Sequence, residues 1–171
     1  HVFAGIKRVR ARLPFALLGI DSDSGSEFIN YHLLAYCTEE KITFTRGRAG
    51  KKNDNPYVEQ KNDSIVRRWV GYGRYDTDEQ IALLNQLYEV LRLYLNFFVP
   101  VMKLKEKERI GSRVIKRYDK PKTPYQRILE ADDISEEVKE KLRKQYQTLN
   151  LVTLKKDVDA ILKRLKPTPV R

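Results

Sequence analysis

Residues 15–28 read FALLGIDSDSGSEF, an apolar run that gives way to a polar loop, and this stretch decides the predicted fold class. The apolar run of residues 15–20 has the length of a strand and predicts one that is buried on both faces. Apolar residues at helical spacing predict a helix over residues 28–39, and the β-branched stretch at residues 42–45 predicts a second strand. A strand, a helix and a second strand in this order indicate an α/β protein.

Helical patterns lie on both sides of this stretch. Residues 2–12 place apolar side chains near helical spacing and predict a helix. Asn55 followed by Pro56 is a helix-start signal, because an asparagine side chain can cap the first turn and proline lacks an N–H that this turn would leave unpaired. The helix that begins there is predicted to end near Gly71 or Gly73.

The second half of the chain is predicted to be helical, with one hairpin. Thr77 begins a capping-box pattern in front of the strongest helix, which runs to residue 98. Gly111 and the serine after it favour the turn of a short hairpin within a basic segment. Ser135 is predicted to cap a further helix, and a last helix stops at Pro167.

The composition of the 171-residue chain excludes several classes of protein. A 41% share of hydrophobic residues is too high for a wholly disordered chain. The single cysteine, Cys37, excludes a disulfide framework and a thiolate metal cage, and it is predicted to be a small buried hydrophobic residue. No run approaches the roughly 18 apolar residues of a membrane helix, so no membrane partner is expected.

The formal net charge of +11 is concentrated in two windows. Residues 46–74 hold eight basic residues against three acidic ones, and residues 103–127 hold ten against three, so these windows contain all of the excess. Such a concentration favours a polyanionic partner, most often nucleic acid, over two solvated loops that happen to be basic. Charge alone does not separate DNA, RNA and an anionic membrane surface.

Two acidic residues stand out by position. Asp23 follows the predicted strand in a glycine-containing loop, where the strand holds a side chain in place and the loop exposes it. Glu59 lies near the start of the helix that begins at Pro56, after a loop rich in lysine and arginine. Carboxylates in a polyanion site can hold Mg²⁺ for phosphodiester chemistry. The alternatives are a turn residue for Asp23 and an interaction with the helix dipole for Glu59.

Two short motifs that contain Asp23 and Glu59 resemble motifs of a known protein family. Residues 23–30, DSGSEFIN, resemble the D-x-G-x-E-F segment of integrase-core transposases, the retroviral-integrase-like enzymes of bacterial insertion sequences. Residues 53–62, NDNPYVEQKN, resemble the segment around the last catalytic glutamate of that family. The 35 residues between Asp23 and Glu59 match the family's separation between its second and third acidic residues. The resemblance covers most of the chain and thins after residue 131.

The resemblance implies a ribonuclease H-like α/β fold that lacks its first strands and carries a helical C-terminal extension. The family's acidic triad binds two Mg²⁺ or Mn²⁺ ions and drives DNA-end cleavage and strand transfer, with Asp23 in the second acidic role and Glu59 in the third. Double-stranded DNA (transposon ends and target), a homo-oligomer and a cytoplasmic, nucleoid-associated location are also implied. The predicted regions are a partial catalytic core at 1–99, a basic linker or small hairpin at 100–134 and a helical tail at 135–171.

The first acidic residue of that triad has no counterpart in residues 1–22. This segment contains one acidic residue, Asp21, which lies two positions before Asp23 at the end of the same strand. We do not expect Asp21 to be the missing metal ligand. We therefore expect the chain to be the C-terminal part of a longer transposase and to lack strand-transfer activity alone. The alternatives are a non-catalytic, basic DNA-binding remnant and a nuclease of the same fold that hydrolyses DNA without joining it.

The first basic window supplies the candidate DNA contacts. Each basic side chain there could neutralise a phosphate of the DNA backbone. The predicted contacts are Arg46, Arg48, Lys51, Lys52, Lys61, Arg67 and Arg68. Trp69, Tyr72 and Tyr75 could stack on bases, although their spacing favours packing within the protein.

Overall fold

The computed structural model combines helices with small β-sheets and describes residues 2–23, 25, 31–48, 50, 54 and 56–169. The chain divides into two compact units, with the division between Tyr72 and Gly73. The elements of the first unit are α1 (Val2–Arg12), β1 (Gly19–Ser22), α2 (Tyr31–Glu39), β2 (Thr43–Arg46), α3 (Pro56–Lys61), a π-helical segment (Asn62–Arg67) and α4 (Arg68–Val70). Those of the second unit are α5 (Asp78–Phe98), β3 (Leu104–Ile110), β4 (Arg113–Tyr118), α6 (Pro124–Leu129), α7 (Glu136–Gln147) and α8 (Leu151–Arg164).

The first unit is built on a parallel pair of strands. β1 and β2 lie side by side with Gly19 opposite Thr43, and α2 lies between them in the chain. Leu33 and Cys37 of α2 form a small buried core with Ile42. The predicted order of strand, helix and strand is therefore confirmed, and so is the burial of Cys37.

The predicted helix at residues 2–12 is confirmed as α1, which packs on this core. The ring of Phe3 meets the ring of Tyr36 edge-on, with 5.0 Å between ring centroids. Arg10 donates hydrogen bonds to the Tyr36 hydroxyl at 2.7 Å and to the Glu40 carboxylate at 2.6 Å. An aromatic contact and an ion pair therefore hold α1 to α2 and to the residue that follows α2.

The predicted strand at residues 15–20 is wrong in its extent and in its burial. β1 is Gly19–Ser22, and Ser22 is its buried residue. Before it, the side chains of Phe15 and Leu18 are 42% and 78% exposed. Along β1, Gly19 and Asp21 are exposed, whereas Ile20 is half-buried and Ser22 is buried, so one face of the strand is covered and the other is not. An apolar run does not report how many neighbouring elements a strand has, and that number decides its burial.

Residues 56–70 form a helical path with a π-helical centre. α3 is followed by six π-helical residues, Asn62–Arg67, and then by α4. Gly71 ends this path with φ 74°, a conformation that glycine adopts without a side-chain clash. The predicted end near Gly71 is confirmed, whereas the π-helical centre was not predicted. The predicted cap Asn55 lies outside the described residues.

In the second unit, α5 packs along α8. Leu83, Leu87 and Leu91 are spaced four residues apart on α5 and are buried, and Val158 of α8 is fully buried. The predicted boundary after residue 99 separates these helices, whereas the structure joins them in one unit because α8 lies against α5. Although α5 has 21 residues, none of the helices in the described ranges is both long and apolar enough to cross a membrane.

Side-chain caps precede three helices of this unit. The predicted capping box before α5 is confirmed, with Thr77 Oγ1 accepting a hydrogen bond from the Gln80 backbone N–H at 3.2 Å. Ser135 precedes α7 as predicted, but in the described chain its side chain makes no capping hydrogen bond. Thr123 and Asn150 cap α6 and α8, and neither cap was predicted.

The remaining parts of the second unit are an aromatic core and a hairpin. Phe97, Tyr125 and Leu142 form a buried cluster that joins α5, α6 and α7, and the Tyr146 ring stacks on Tyr125 at 4.9 Å. β3 and β4 form an antiparallel hairpin that turns at Gly111, where φ is 61°. The hairpin predicted from the glycine is therefore confirmed.

Candidate metal and nucleic-acid site

Asp23 lies directly after β1, at the carboxyl end of the parallel strand pair. Its side chain is exposed, and its Oδ1 accepts a hydrogen bond from the Gly25 backbone N–H at 2.9 Å. This contact is typical of an aspartate that stabilises a turn. An exposed carboxylate at the end of a strand is also well placed to meet a ligand, so the geometry is compatible with both interpretations of Asp23.

Asp21 belongs to the sheet itself. It lies opposite Thr45 in the register of β1 and β2, and the Thr45 hydroxyl donates a hydrogen bond to Asp21 Oδ1 at 2.7 Å. One oxygen of this carboxylate therefore links the two strands. A cross-strand hydrogen bond of this kind contributes to the stability of the pair.

Glu59 lies in the first turn of α3 and is exposed. A negative charge there interacts favourably with the positive end of the helix dipole. The structure therefore places Asp23 and Glu59 on different elements of the same unit, one after a strand and one on a helix.

These carboxylates can be tested against the chemistry of Mg²⁺. Mg²⁺ prefers oxygen ligands and is commonly held by one or two carboxylates, so Asp23 and Glu59 fit by donor type. Among the residues that the structure describes, no three His, Cys, Asp or Glu side chains come together as a metal-binding group. Asp23 and Glu59 thus fit a magnesium site by the type of their donor atoms, and they are two of the three acidic residues that the resemblance implies.

The loop after β2 contains an ion pair that the sequence did not predict. The Arg48 guanidinium donates hydrogen bonds to both carboxylate oxygens of Asp54, at 2.8 and 3.0 Å, and the Arg48 backbone N–H donates a third at 3.0 Å. The bonds from the side chain, and then from the backbone, lower the pKa of Asp54 to about 2. Arg48 therefore already has an anionic partner, and a phosphate at this side chain would compete with Asp54.

The candidate DNA contacts on the helical path have two different surroundings. The Arg67 guanidinium lies 4.5 Å from the ring centroid of Tyr72, which is 79% exposed. The Arg68 side chain lies 3.4 Å from the Asp63 carboxylate. The cation–π contact holds the Arg67 charge at the surface without neutralising it, whereas Arg68 faces an opposite charge.

The other candidate contacts are at the ends of elements. Arg46 ends β2 and Lys61 ends α3, and both are exposed. Lys51 and Lys52 lie outside the described residues. Arg46, Lys61 and Arg67 are therefore the basic side chains of this window whose described positions suit phosphate contact best.

Comparisons with known proteins identify a longer relative of the chain. No protein-family model matches the chain, and no solved structure matches it. The chain is similar to a protein of Sinorhizobium fredii (strain NBRC 101917 / NGR234) named Uncharacterized protein y4rM, with 48% identity over 126 residues. These residues are 74% of this chain and 36% of the relative. The chain thus spans little more than a third of a longer protein whose name states no activity.

Proposed function

We propose that this chain is part of an integrase-type transposase and carries two of the acidic residues of its metal site. The observation that carries the proposal is the pair of motifs around Asp23 and Glu59, in the family's order and 35 residues apart. The reaction is divalent-metal-dependent phosphoryl transfer on DNA, comprising cleavage of transposon ends and joining to target DNA. A ribonuclease H-like fold for the complete catalytic core is part of the same proposal.

The geometry of the first unit supports this proposal. In open sheets with parallel strands, ligands bind beyond the carboxyl ends of the strands, and Asp23 lies at that end of β1. Glu59 is exposed on a helix that follows a basic loop. The helical path after Glu59 contains a π-helical segment, a distortion that is frequent at functional sites.

Each group of residues has a separate role in the proposed reaction. Asp23 and Glu59 would hold Mg²⁺, which when bound supplies positive charge to the attacking and leaving oxygens of a phosphodiester. Arg46, Lys61 and Arg67 would bind neighbouring phosphates and hold the DNA strand in register. Positioning and electrostatic stabilisation account for most of the catalysis in phosphoryl transfer, so both groups are needed.

A second candidate function is a basic DNA-binding module without catalysis. It is favoured by the local contact of Asp23 with the Gly25 N–H and by the place of Glu59 in the first turn of α3. Each carboxylate has a structural use that requires no metal. The two candidates share the basic surface and differ in whether Glu59 is needed for activity.

The test is a transposition assay with the complete reading frame that encodes this chain and a marked donor element. We expect Glu59→Gln and Asp23→Asn to lower the transposition frequency by roughly a thousandfold or more, because several kcal/mol of transition-state stabilisation would be lost. Glu39→Gln is the matched control, since Glu39 is an exposed glutamate at the end of α2. DNA affinity should stay unchanged in all three variants.

The outcome for Glu59→Gln separates the two candidates. A frequency equal to that of Glu39→Gln would rule out the catalytic role and support the DNA-binding module. The purified 171-residue chain alone should neither cleave nor join a labelled duplex in Mg²⁺, because the first acidic residue of the triad has no counterpart in its sequence.

A further inference from the structure

The hairpin of the second unit, residues 104–118, presents an exposed basic surface that the site around Glu59 does not include. We call it the ribbon. Every residue of β3 is exposed, and in β4 the half-buried residue is Ile115. The ribbon therefore offers its side chains to solvent or to a partner.

The pairing register of β3 and β4 decides which charged side chains share a face of the ribbon. Residues directly opposite each other in an antiparallel pair have side chains on the same face. Lys107 lies opposite Lys116, and Arg109 lies opposite Val114. Because successive side chains alternate between faces, these four residues share one face, which we call the cationic face.

The acidic residues of the ribbon lie on the other face. Glu106 lies opposite Arg117 and forms an ion pair with it at 3.4 Å, and Glu108 lies opposite Ile115. The cationic face carries the positive charges of Lys107, Arg109 and Lys116, and among the described residues of the ribbon no carboxylate lies on this face. Like charges directly opposite each other destabilise a strand pair, so this arrangement weakens the ribbon until an anion neutralises it.

A partly buried ion pair holds the base of the ribbon. Asp119 accepts a hydrogen bond from the Lys103 backbone N–H at 2.6 Å and another from Arg127 at 2.6 Å. Arg127 also donates to the Val101 carbonyl at 2.7 Å, and the side chains of Asp119 and Arg127 are 15% and 18% exposed. These contacts connect both ends of the ribbon to α6, so the cationic face is oriented before any partner binds.

We propose that the cationic face of the ribbon binds the phosphate backbone of double-stranded DNA. A two-stranded ribbon has the width that the major groove admits, and lysine and arginine along it can reach the flanking phosphates. Tyr118, 49% exposed, continues the alternation of Val114 and Lys116 on this face and can donate a hydrogen bond to a phosphate. The choice of DNA as the polyanion rests on the proposed function; the cationic face itself rests on the register.

The experiment measures binding of the full 171-residue chain to a fluorescent duplex of arbitrary sequence at several salt concentrations. EDTA is present, so the result does not depend on a metal at Asp23 and Glu59. The test variant is Lys107→Gln/Lys116→Gln, and the matched control is Arg113→Gln/Arg117→Gln, which removes two charges from the opposite face. Circular dichroism melting of each variant checks the fold.

The two variants are expected to differ in affinity and in salt dependence. Lys107→Gln/Lys116→Gln should weaken binding about tenfold and reduce the slope of log K against log salt by roughly two, because two phosphate contacts are lost. Its melting temperature should stay equal or rise, since a like-charge pair is removed. In the control variant, the slope of log K against log salt should fall by less than half of the amount lost in Lys107→Gln/Lys116→Gln.

Other outcomes would overturn the proposal. Equal losses for the two variants would mean that the ribbon contributes only net charge. Unchanged DNA binding in the test variant, together with reduced binding to phosphatidylserine vesicles or to duplex RNA, would assign the face to that partner instead. Failure of the transposition assay leaves this result unaffected, and failure here leaves the roles of Asp23 and Glu59 unaffected.

Discussion

The chemistry of Asp54 is set by its neighbour Arg48. Its carboxylate accepts three hydrogen bonds from Arg48, and its pKa is lowered from 3.8 to about 2. A pKa that is lower in the folded chain means that the ion pair stabilises the fold above the ordinary pKa. This stabilisation is lost as the pH falls through the folded value of about 2.

We expect Arg48→Gln to return the pKa of Asp54 towards 3.8, because the guanidinium is the largest cause of the shift. Carbon-13 NMR titration of the Asp54 carboxyl carbon measures this directly in both proteins. Arg46→Gln removes an equal charge two residues earlier in the sequence and should leave the pKa at about 2, because Arg46 is not among the causes of the shift. A wild-type Asp54 that titrates at its ordinary pKa would contradict the ion pair.

The same pair explains part of what the sequence could not show about the candidate site. Arg48 and Asp54 are six residues apart in a glycine-containing loop, and no periodic pattern predicts that such residues meet. The sequence identified both as charged, but only the structure shows that they pair with each other. Arg46 and Lys61 lie at the ends of elements in the structure and are exposed.

At the scale of elements, the helix caps show where local sequence is sufficient. Thr77 and Thr123 are each followed three residues later by glutamine, and both form reciprocal capping boxes. Ser135 is followed at that position by Val138, which cannot return the hydrogen bond. The third residue after the cap was therefore the signal that separates these cases.

We expect Thr77→Ala to lower the free energy of unfolding by about 1 kcal/mol, because the first turn of α5 loses a hydrogen-bond acceptor. Ser135→Ala should change it much less, since the Ser135 side chain makes no capping hydrogen bond in the described chain. Urea denaturation followed by circular dichroism gives both values. Equal losses in the two variants would contradict the difference between the caps.

At the scale of the whole molecule, the second unit has its own cores, and hydrogen bonds join its last segment to its first residues. α5 packs with α8, and a separate cluster joins α5 with α6 and α7. The Thr168 N–H donates to the Arg74 carbonyl at 2.8 Å, and the Gln80 amide donates to the Lys166 carbonyl at 2.9 Å. The segment after α8 is thereby attached to the start of the unit.

We expect the fragment of residues 73–171 to unfold cooperatively when it is expressed alone, because its cores lie within it. Thermal unfolding by circular dichroism measures the transition. A shorter fragment that ends at residue 164 lacks the hydrogen bonds of Lys166 and Thr168 and should melt at a lower temperature. A gradual transition in the longer fragment would show that the unit needs the rest of the chain.

The sequence by itself determined most of the helices, though not α6 or the π-helical segment, and it determined the order of strand, helix and strand and the two basic windows. It also made Asp23 and Glu59 candidates for the metal site, because motif spacing is a property of the sequence itself. Only the tertiary structure decided that α5 belongs with α8, that β1 is covered on one side, and that Asp54 neutralises Arg48. The register of the ribbon likewise placed Lys107 against Lys116. These facts depend on residues far apart in the chain, whose meeting no local pattern encodes.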